Sequence, residues 1–334
     1  MWLPGGNLQT IWPALFSQRV KGKRPNYRRQ RLNTPDGDFV DIDWLDRGPD
    51  APISQTLLVL FHGLEGSSRS HYAEAFADYA AHCGWDYVVP HFRGCSGEIN
   101  LAPRAYHSGD FQEIGWVLET LKALHGARDG QQLMVVGVSL GGNALLRWAE
   151  EMGASASVIA RAIAAVSSPI DLAAGGRAIG QGFNRQIYTR MFLRSMKPKA
   201  LRKLAQYPGL FDRRALLDAR DLYTFDNVFT APLHGFKNAE DYWLRASAKP
   251  HLRQIRIPTL VVNALNDPFV PAHSLPKPHE VGQFVTLWQP KHGGHVGFAQ
   301  GRLPGHVHAM PQAVGEWLKQ HMVIDHVPDR MHHG

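Results

Sequence analysis

A chain of 334 residues with 44% hydrophobic and 19% charged side chains can bury a sizeable core, which excludes a disordered polymer and points to one α/β domain carrying an insert. Two cysteines, Cys83 and Cys95, give no disulfide framework and fit a reducing compartment, and no run approaches the roughly 20 apolar residues that span a bilayer. The net charge of +7 gathers at Arg19 to Arg31 and at Arg185 to Arg214, but no zinc-finger or RNP-like pattern accompanies it, so no nucleic-acid partner is expected. Such runs are most often solvated faces; any membrane contact is expected to be peripheral, through these basic segments, in a protein of the cytoplasm.

The N-terminal arm, 1–26, lacks the basic start and continuous apolar core of a secretory signal. Tyr27 to Asn33 and Phe39 to Leu45 flank Thr-Pro-Asp-Gly-Asp, which predicts an antiparallel hairpin. Leu57 to Phe61 is a continuous apolar run of the kind buried in a parallel sheet, and a helix capped by Ser70 should follow it. Strand Tyr87 to Val89, helix Asp110 to Leu124 and strand Leu133 to Val138 extend the alternation. Ile163 to Val166, Thr259 to Val262 and Phe284 to Leu287 continue it, and a last helix lies around Ala313 to His321. The expected fold is a mostly parallel twisted sheet of about eight strands flanked by helices, with a core formed by 27–169 and 247–325.

The strand–helix rhythm breaks over 170–246, which reads as an inserted helical cap, and 326–334 as a C-terminal tail. Within the cap, Arg185 to Gln206 carries Ile187, Tyr188, Met191, Phe192 and Met196 among basic residues, an amphipathic pattern. That apolar face either lines an acyl pocket, with Met191 and Phe192 as candidate substrate contacts, or merely packs the cap onto the core.

The chemistry is written most clearly around Ser139. A β-branched run ends on Gly137-Val138-Ser139-Leu140-Gly141, and Leu140, Ala144, Leu145 and Trp148 follow at helical spacing. In such a turn, side chains two positions either side of the serine would collide, so glycine is required. The turn lifts the serine Oγ above the strand ends and brings the Leu140 N–H to a helix N-terminus, where an oxyanion is favoured.

A serine hydroxyl is a poor nucleophile at neutral pH and needs a base, which in turn needs an orienting carboxylate. Asp267 ends TLVVNALNDPFVP at the carboxyl edge of the sheet, with Asp171 after the preceding strand as the second choice. His295, in KHGGHVGF, is preferred as the base over His292. A metal reading with His306 and His308 lacks acidic or thiol ligands at a metal spacing. The second oxyanion donor is expected in the loop His62 to Gly66, where the Leu64 N–H is the choice.

These motifs together resemble the α/β-hydrolases, and within them the YheT-like branch related to abhydrolase-domain phospholipases and medium-chain alkyl esterases. The resemblance spans nearly the whole chain through NLQTIWP (Asn7 to Pro13), HGLEGS (His62 to Ser67), FRGCSGE (Phe92 to Glu98), YHSGD (Tyr106 to Asp110), GVSLGGN (Gly137 to Asn143), NDPFVP (Asn266 to Pro271) and GGHVGF (Gly293 to Phe298). It implies a Ser139, Asp267 and His295 triad, in agreement with the residue-level reading. The expected activity is hydrolysis of carboxylic esters, with short to medium acyl chains, on a small-molecule ester or lipid and with no metal or organic cofactor. Acyl transfer to an alcohol or phospholipase action on the same triad, and a noncatalytic lipid or membrane-surface binding protein, are the alternatives.

Overall fold

The computed structural model describes residues 3–52, 54–125 and 131–322; the tail expected at 326–334 lies outside the described residues. One sheet holds β1 (Tyr27–Asn33), β2 (Phe39–Leu45), β3 (Thr56–Phe61), β4 (Asp86–Pro90), β5 (Gln132–Val138), β6 (Ala162–Val166), β7 (Thr259–Val262) and β8 (Val285–Trp288). Their order is β1-β2-β4-β3-β5-β6-β7-β8. β2 is antiparallel to both β1 and β4, and every other pair is parallel. The eight-stranded, mostly parallel sheet expected from the sequence is the observed one.

The helices that cover it are α1 (Gly5–Leu15), α2 (His71–His82), α3 (Phe111–His125), α4 (Leu140–Met152), α5 (Leu172–Ile179), α6 (Arg190–Gln206), α7 (Ala239–Ala246) and α8 (Ala309–Lys319), with shorter turns between. The central strands are apolar throughout because both faces are covered. Leu57, Val59 and Phe61 of β3, with Leu133 and Val135 of β5, join Ile114, Leu118, Leu145 and Trp148 in one layer. Their alternates Leu58, Leu60, Met134, Val136 and Val138 meet Phe76, Ala77, Met310, Val314 and Leu318 on the other face. Two layers therefore clamp β3, β5 and β6, the strands that end at the site.

β1 closes one edge of the sheet with charge. Arg29 stands opposite Asp43 and Arg31 opposite Asp41, each pair at 2.7 Å. Two of the seven cations of the first basic run are thus spent inside the hairpin, and a charged edge discourages further strand pairing.

Three local expectations differ in detail. The last helix starts at Ala309 rather than near Ala313, since Pro311 falls in its first turn, where a missing N–H costs nothing. Ser70 precedes α2, yet its hydroxyl accepts from the Ser67 N–H rather than capping the helix. The N-terminal arm contains α1, which its glycines and Pro13 hid from a sequence reading.

α1 is held by what it touches. The Gln9 side-chain carbonyl accepts from the Gly293 N–H and from the Asn266 amide, both at 2.9 Å, while its amide donates to the Leu3 carbonyl at 2.7 Å. Thr10 Oγ1 accepts from the His295 N–H at 2.8 Å and donates to Gly6 O at 2.7 Å. One buried turn of helix thereby ties together two loops that lie far away in sequence. Gln9→Leu leaves the Gly293 N–H and the Asn266 amide without their acceptor, and we expect a loss of about 1–3 kcal/mol in urea unfolding, with native circular dichroism retained.

Candidate active site

β5 runs into α4 through Ser139, whose backbone sits at φ 53° and ψ −119°, a left-handed conformation that a serine adopts only under constraint. The constraint is visible in the glycines. A Cβ on Gly137 would lie 2.5 Å from Gly141 O, and one on Gly141 would lie 2.5 Å from His62 O. The collision expected across the G-x-S-x-G turn is therefore present in the geometry, and Gly142 adds a further close approach, to Ser168.

The three side chains singled out from sequence meet there. His295 Nε2 lies 3.0 Å from Ser139 Oγ, and His295 Nδ1 lies 2.9 Å from Asp267 Oδ2. The other Asp267 oxygen accepts from the Phe269 and Val270 N–H groups at 2.8 and 3.2 Å, so the buried carboxylate is fixed on both sides. The ring of Phe269 covers the imidazole at 4.2 Å between centroids. The structure does not bring the second choices to this point. Asp171 caps α5 by accepting from the Ala174 N–H, and His292 is exposed. His306 and His308 stack on each other.

Opposite Ser139 stands the loop after β3. A Cβ on Gly63 would lie 3.1 Å from Ser139 Cβ, which brings that loop against the turn. Tyr72 OH accepts from the Gly63 N–H at 2.8 Å. His62 underlies the loop. Its Nε2 accepts from the Phe92 N–H at 3.2 Å, so Nδ1 carries the proton and donates to Gly63 O at 2.8 Å. Burial, reinforced by the neighbouring His91, pushes its pKa down to about 3 and keeps this ring neutral. Among the described residues, the backbone N–H groups of Leu64 and Leu140 have no partner, as oxyanion donors require.

The next residue was missed by sequence reasoning. Glu65 has φ 57°, and its N–H donates to Tyr106 OH at 3.0 Å while Tyr106 OH donates back to Glu65 Oε1 at 2.8 Å. Lys199 of α6 completes the cluster, its Nζ 2.9 Å from Glu65 Oε2. Glu65 and Lys199 are 134 positions apart, so only the fold reveals the pair.

A cleft opens from Ser139 beneath the helices between β6 and β7, walled by Leu64, Ile179, Phe192, Met196 and Phe229. Of the two candidate contacts, Phe192 is on this wall. Met191 is not: it is 54% exposed and faces outward, because it follows Ile187 by four residues on the outer side of the helix, whereas Phe192 follows Tyr188 by four on the inner side. At the cleft Asp226 is the unanticipated group. Its carboxylate accepts from Thr230 Oγ1 at 2.7 Å and Trp243 Nε1 at 2.9 Å, and no cation pairs with it among the described residues. Burial pushes its pKa up to about 6 against those two hydrogen bonds.

Comparison with known proteins agrees with this architecture. A family model described as the alpha/beta hydrolase fold matches residues 56–301. The candidate esterase YheT of Escherichia coli (strain K12) is 40% identical over 318 residues, covering 95% of this chain and 91% of that one. Phospholipase ABHD3 of Mus musculus is 27% identical, covering 88% and 74% of the two chains. Among solved structures, the Pyrococcus furiosus esterase Pf2001 aligns over 92% of this chain and all of its own, with a TM-score of 0.54 at 18% identity, a likeness of fold.

The raised Asp226 pKa means that folding favours the neutral acid. Its stabilisation is complete below the unfolded value near 3.8 and is lost as pH rises through about 6. Asp226→Asn, which cannot ionise, should therefore gain on the wild type between pH 4 and pH 7 by up to about 3 kcal/mol, read from urea midpoints at each pH. A gap that does not change with pH would contradict the assignment.

Proposed function

Because the chain belongs to the α/β-hydrolase family, we propose that it is a serine hydrolase that cleaves carboxylic esters of short to medium acyl chains through an acyl-enzyme. The observation that carries this reading is the unbroken relay from Asp267 through His295 to Ser139, with both hydrogen bonds at or below 3.0 Å. His295 takes the Ser139 proton as Oγ attacks the ester carbonyl, and Asp267 holds the imidazole and stabilises its cationic form. The Leu64 and Leu140 N–H groups receive the oxyanion. His295 then protonates the leaving alcohol, and water, deprotonated by the same imidazole, releases the acid. Every step is served by side chains and backbone of this chain, so the reading calls for no metal or organic cofactor.

In this reading 170–246 form the cap over a core of 27–169 and 247–325, and the apolar cleft walls, with Phe192 among them, receive the acyl chain. The names of the relatives, an esterase and a phospholipase, support a small-molecule ester or a lipid as substrate. We place the reaction in the cytoplasm, with peripheral membrane contact through the basic segments. Among the described residues no helix is long and apolar enough to cross a membrane.

Turnover of p-nitrophenyl esters of increasing chain length, with fluorophosphonate labelling, tests the chemistry. Ser139→Ala and His295→Ala should each lose on the order of 10⁶-fold in kcat, and Ser139→Ala should not label. His292→Ala should stay within about twofold. Full turnover by Ser139→Ala, or no labelling of the wild type, overturns the proposal.

Lys199 and Glu65 act as positioning residues, since Glu65 follows the oxyanion donor Leu64 directly and its left-handed backbone is held by Tyr106 and Lys199. Lys199→Met should lower kcat on the order of tenfold at nearly constant KM, and Lys199→Arg should recover most of it. A change confined to KM would instead mean that Lys199 contacts the substrate.

A further inference from the structure

The apolar residues of the cap helix that turn away from the cleft need an explanation. Phe183, Ile187 and Met191 are exposed at a spacing of four, on the approach to α6 and its first turn. α1 exposes Leu8 and Leu15, and Phe16 is exposed at its C-terminal end. These six are drawn from fifteen exposed large hydrophobics among the described residues, so apolar exposure is concentrated on two segments. The segments touch. Tyr188 OH donates to Asn7 Oδ1 at 3.0 Å, and Ile11 packs against the cluster of Ile179, Tyr188 and Phe269.

Positive charge lies within the cap segment and in the chain that follows α1, since residues 5–16 themselves hold no charged side chain. Residues 1–35 hold seven lysines and arginines and residues 172–211 hold eight, with no aspartate or glutamate in either stretch. Fifteen of the 36 basic residues and none of the 29 acidic ones lie here, so the remainder of the chain is net negative. Some of these cations are committed: Arg19 to Glu74, Arg29 to Asp43, Arg31 to Asp41 and Lys199 to Glu65. Lys23, Arg24, Arg185, Arg190 and Arg194 are exposed and enter no salt bridge among the described residues.

Exposed apolar side chains flanked by unpaired cations, with no acid nearby in sequence, are the chemistry of a helix face that lies in the head-group region of an anionic bilayer. A protein partner would need acids set against each arginine and pockets for each apolar side chain, whereas a lipid surface supplies both without register. The platform also adjoins the cleft wall, through Tyr188 against Phe269 at 4.4 Å and Phe269 against His295. We infer that α1 and the start of the cap helix form a docking surface for an anionic lipid bilayer, with Phe183, Ile187 and Leu15 entering the interface and Arg185, Arg190 and Arg194 meeting lipid phosphates. This narrows the peripheral contact proposed above to a named surface and does not depend on the ester chemistry.

Flotation of the full chain with vesicles of phosphatidylcholine alone, and with about 30% phosphatidylglycerol added, at low and high salt, is the test. The wild type should bind the anionic vesicles at low salt and lose at least about tenfold in affinity at high salt. Ser139→Ala should bind equally. The variant R185S/R190S/R194S should lose about tenfold or more at low salt, and F183S/I187S should lose binding at both salt concentrations. Both variants should retain wild-type turnover of a soluble ester, which shows that they fold and separates this result from any failure of the hydrolase proposal. No binding of the wild type to anionic vesicles overturns the inference. So does binding that neither variant weakens, equal binding to duplex DNA that F183S/I187S leaves intact, or a stable dimer in sedimentation that excludes vesicles.

Discussion

The chain reversal at Ser139 is the constraint on which the site depends. Three stretches of main chain converge there, the end of β5, the loop after β3 and the loop after β6, at separations that leave no room for a Cβ on Gly137, Gly141 or Gly142. A left-handed serine costs on the order of 1–3 kcal/mol, and the turn persists because its surroundings over-determine it. β5 is buried along its whole length and paired on both sides, with Gly137 opposite Phe61 and Ala165. A strand that cannot move delivers the serine to one point, and the helix that starts immediately beyond delivers an unpaired N–H to the same point. The strain and the reactive geometry are one feature.

The partners of that serine come from loops, which are softer than strands, and the fold stiffens them with buried hydrogen bonds. Asp267 is fixed by two backbone N–H groups of its own loop. The His295 loop has no regular structure behind it, and its restraint arrives from the far end of the chain, where Gln9 and Thr10 accept its N–H groups. Because Gln9 also accepts from Asn266, one side chain sets the acid loop and the histidine loop relative to each other. Close approach reinforces this: a Cβ on Gly294 or Gly297 would enter the backbone of Gln9. Glycines that look like a mobile loop in the sequence are in fact the condition for tight contact with α1.

What could be read from the residues follows from the range of the forces involved. Strands β3, β5 and β6 were legible because a covered strand must be apolar on both faces, a local property, and their bounds agree to within one residue. Ser139, Asp267 and His295 were legible because each sits where a strand ends in a loop of distinctive composition. α1 was not, since Gly5, Gly6 and Pro13 argue against a helix and the hydrogen bonds that favour it come from residues near 266 and 293. Met191 was misassigned because neighbouring residues on a helix stand about 100° apart, so Ile187 and Met191 face outward while Tyr188 and Phe192 face inward. The pairs Lys199–Glu65 and Tyr188–Asn7 join positions more than a hundred apart and leave no local trace.

A net charge of +7 conceals three different uses of a cation. Arg29 and Arg31 sit directly across a hairpin from aspartates, so they stabilise β1 and leave little field outside. Lys203 is buried, donating to the carbonyls of Asn100 and Ala102 at 2.6 and 2.8 Å, and burial pulls its pKa down to about 8, so its ammonium works as a tie between α6 and the loop after β4. Only cations that are exposed and have no acid partner keep their full attraction for an outside anion, and at the start of the cap helix these are Arg185, Arg190 and Arg194, whose planar guanidinium binds phosphate oxygens in pairs. The two sides of one helical segment are thus separated by electrostatics as well as by hydropathy. Inward, a paired lysine and aromatic rings shape the cleft beside Ser139; outward, unpaired guanidinium groups surround Ile187 and Met191.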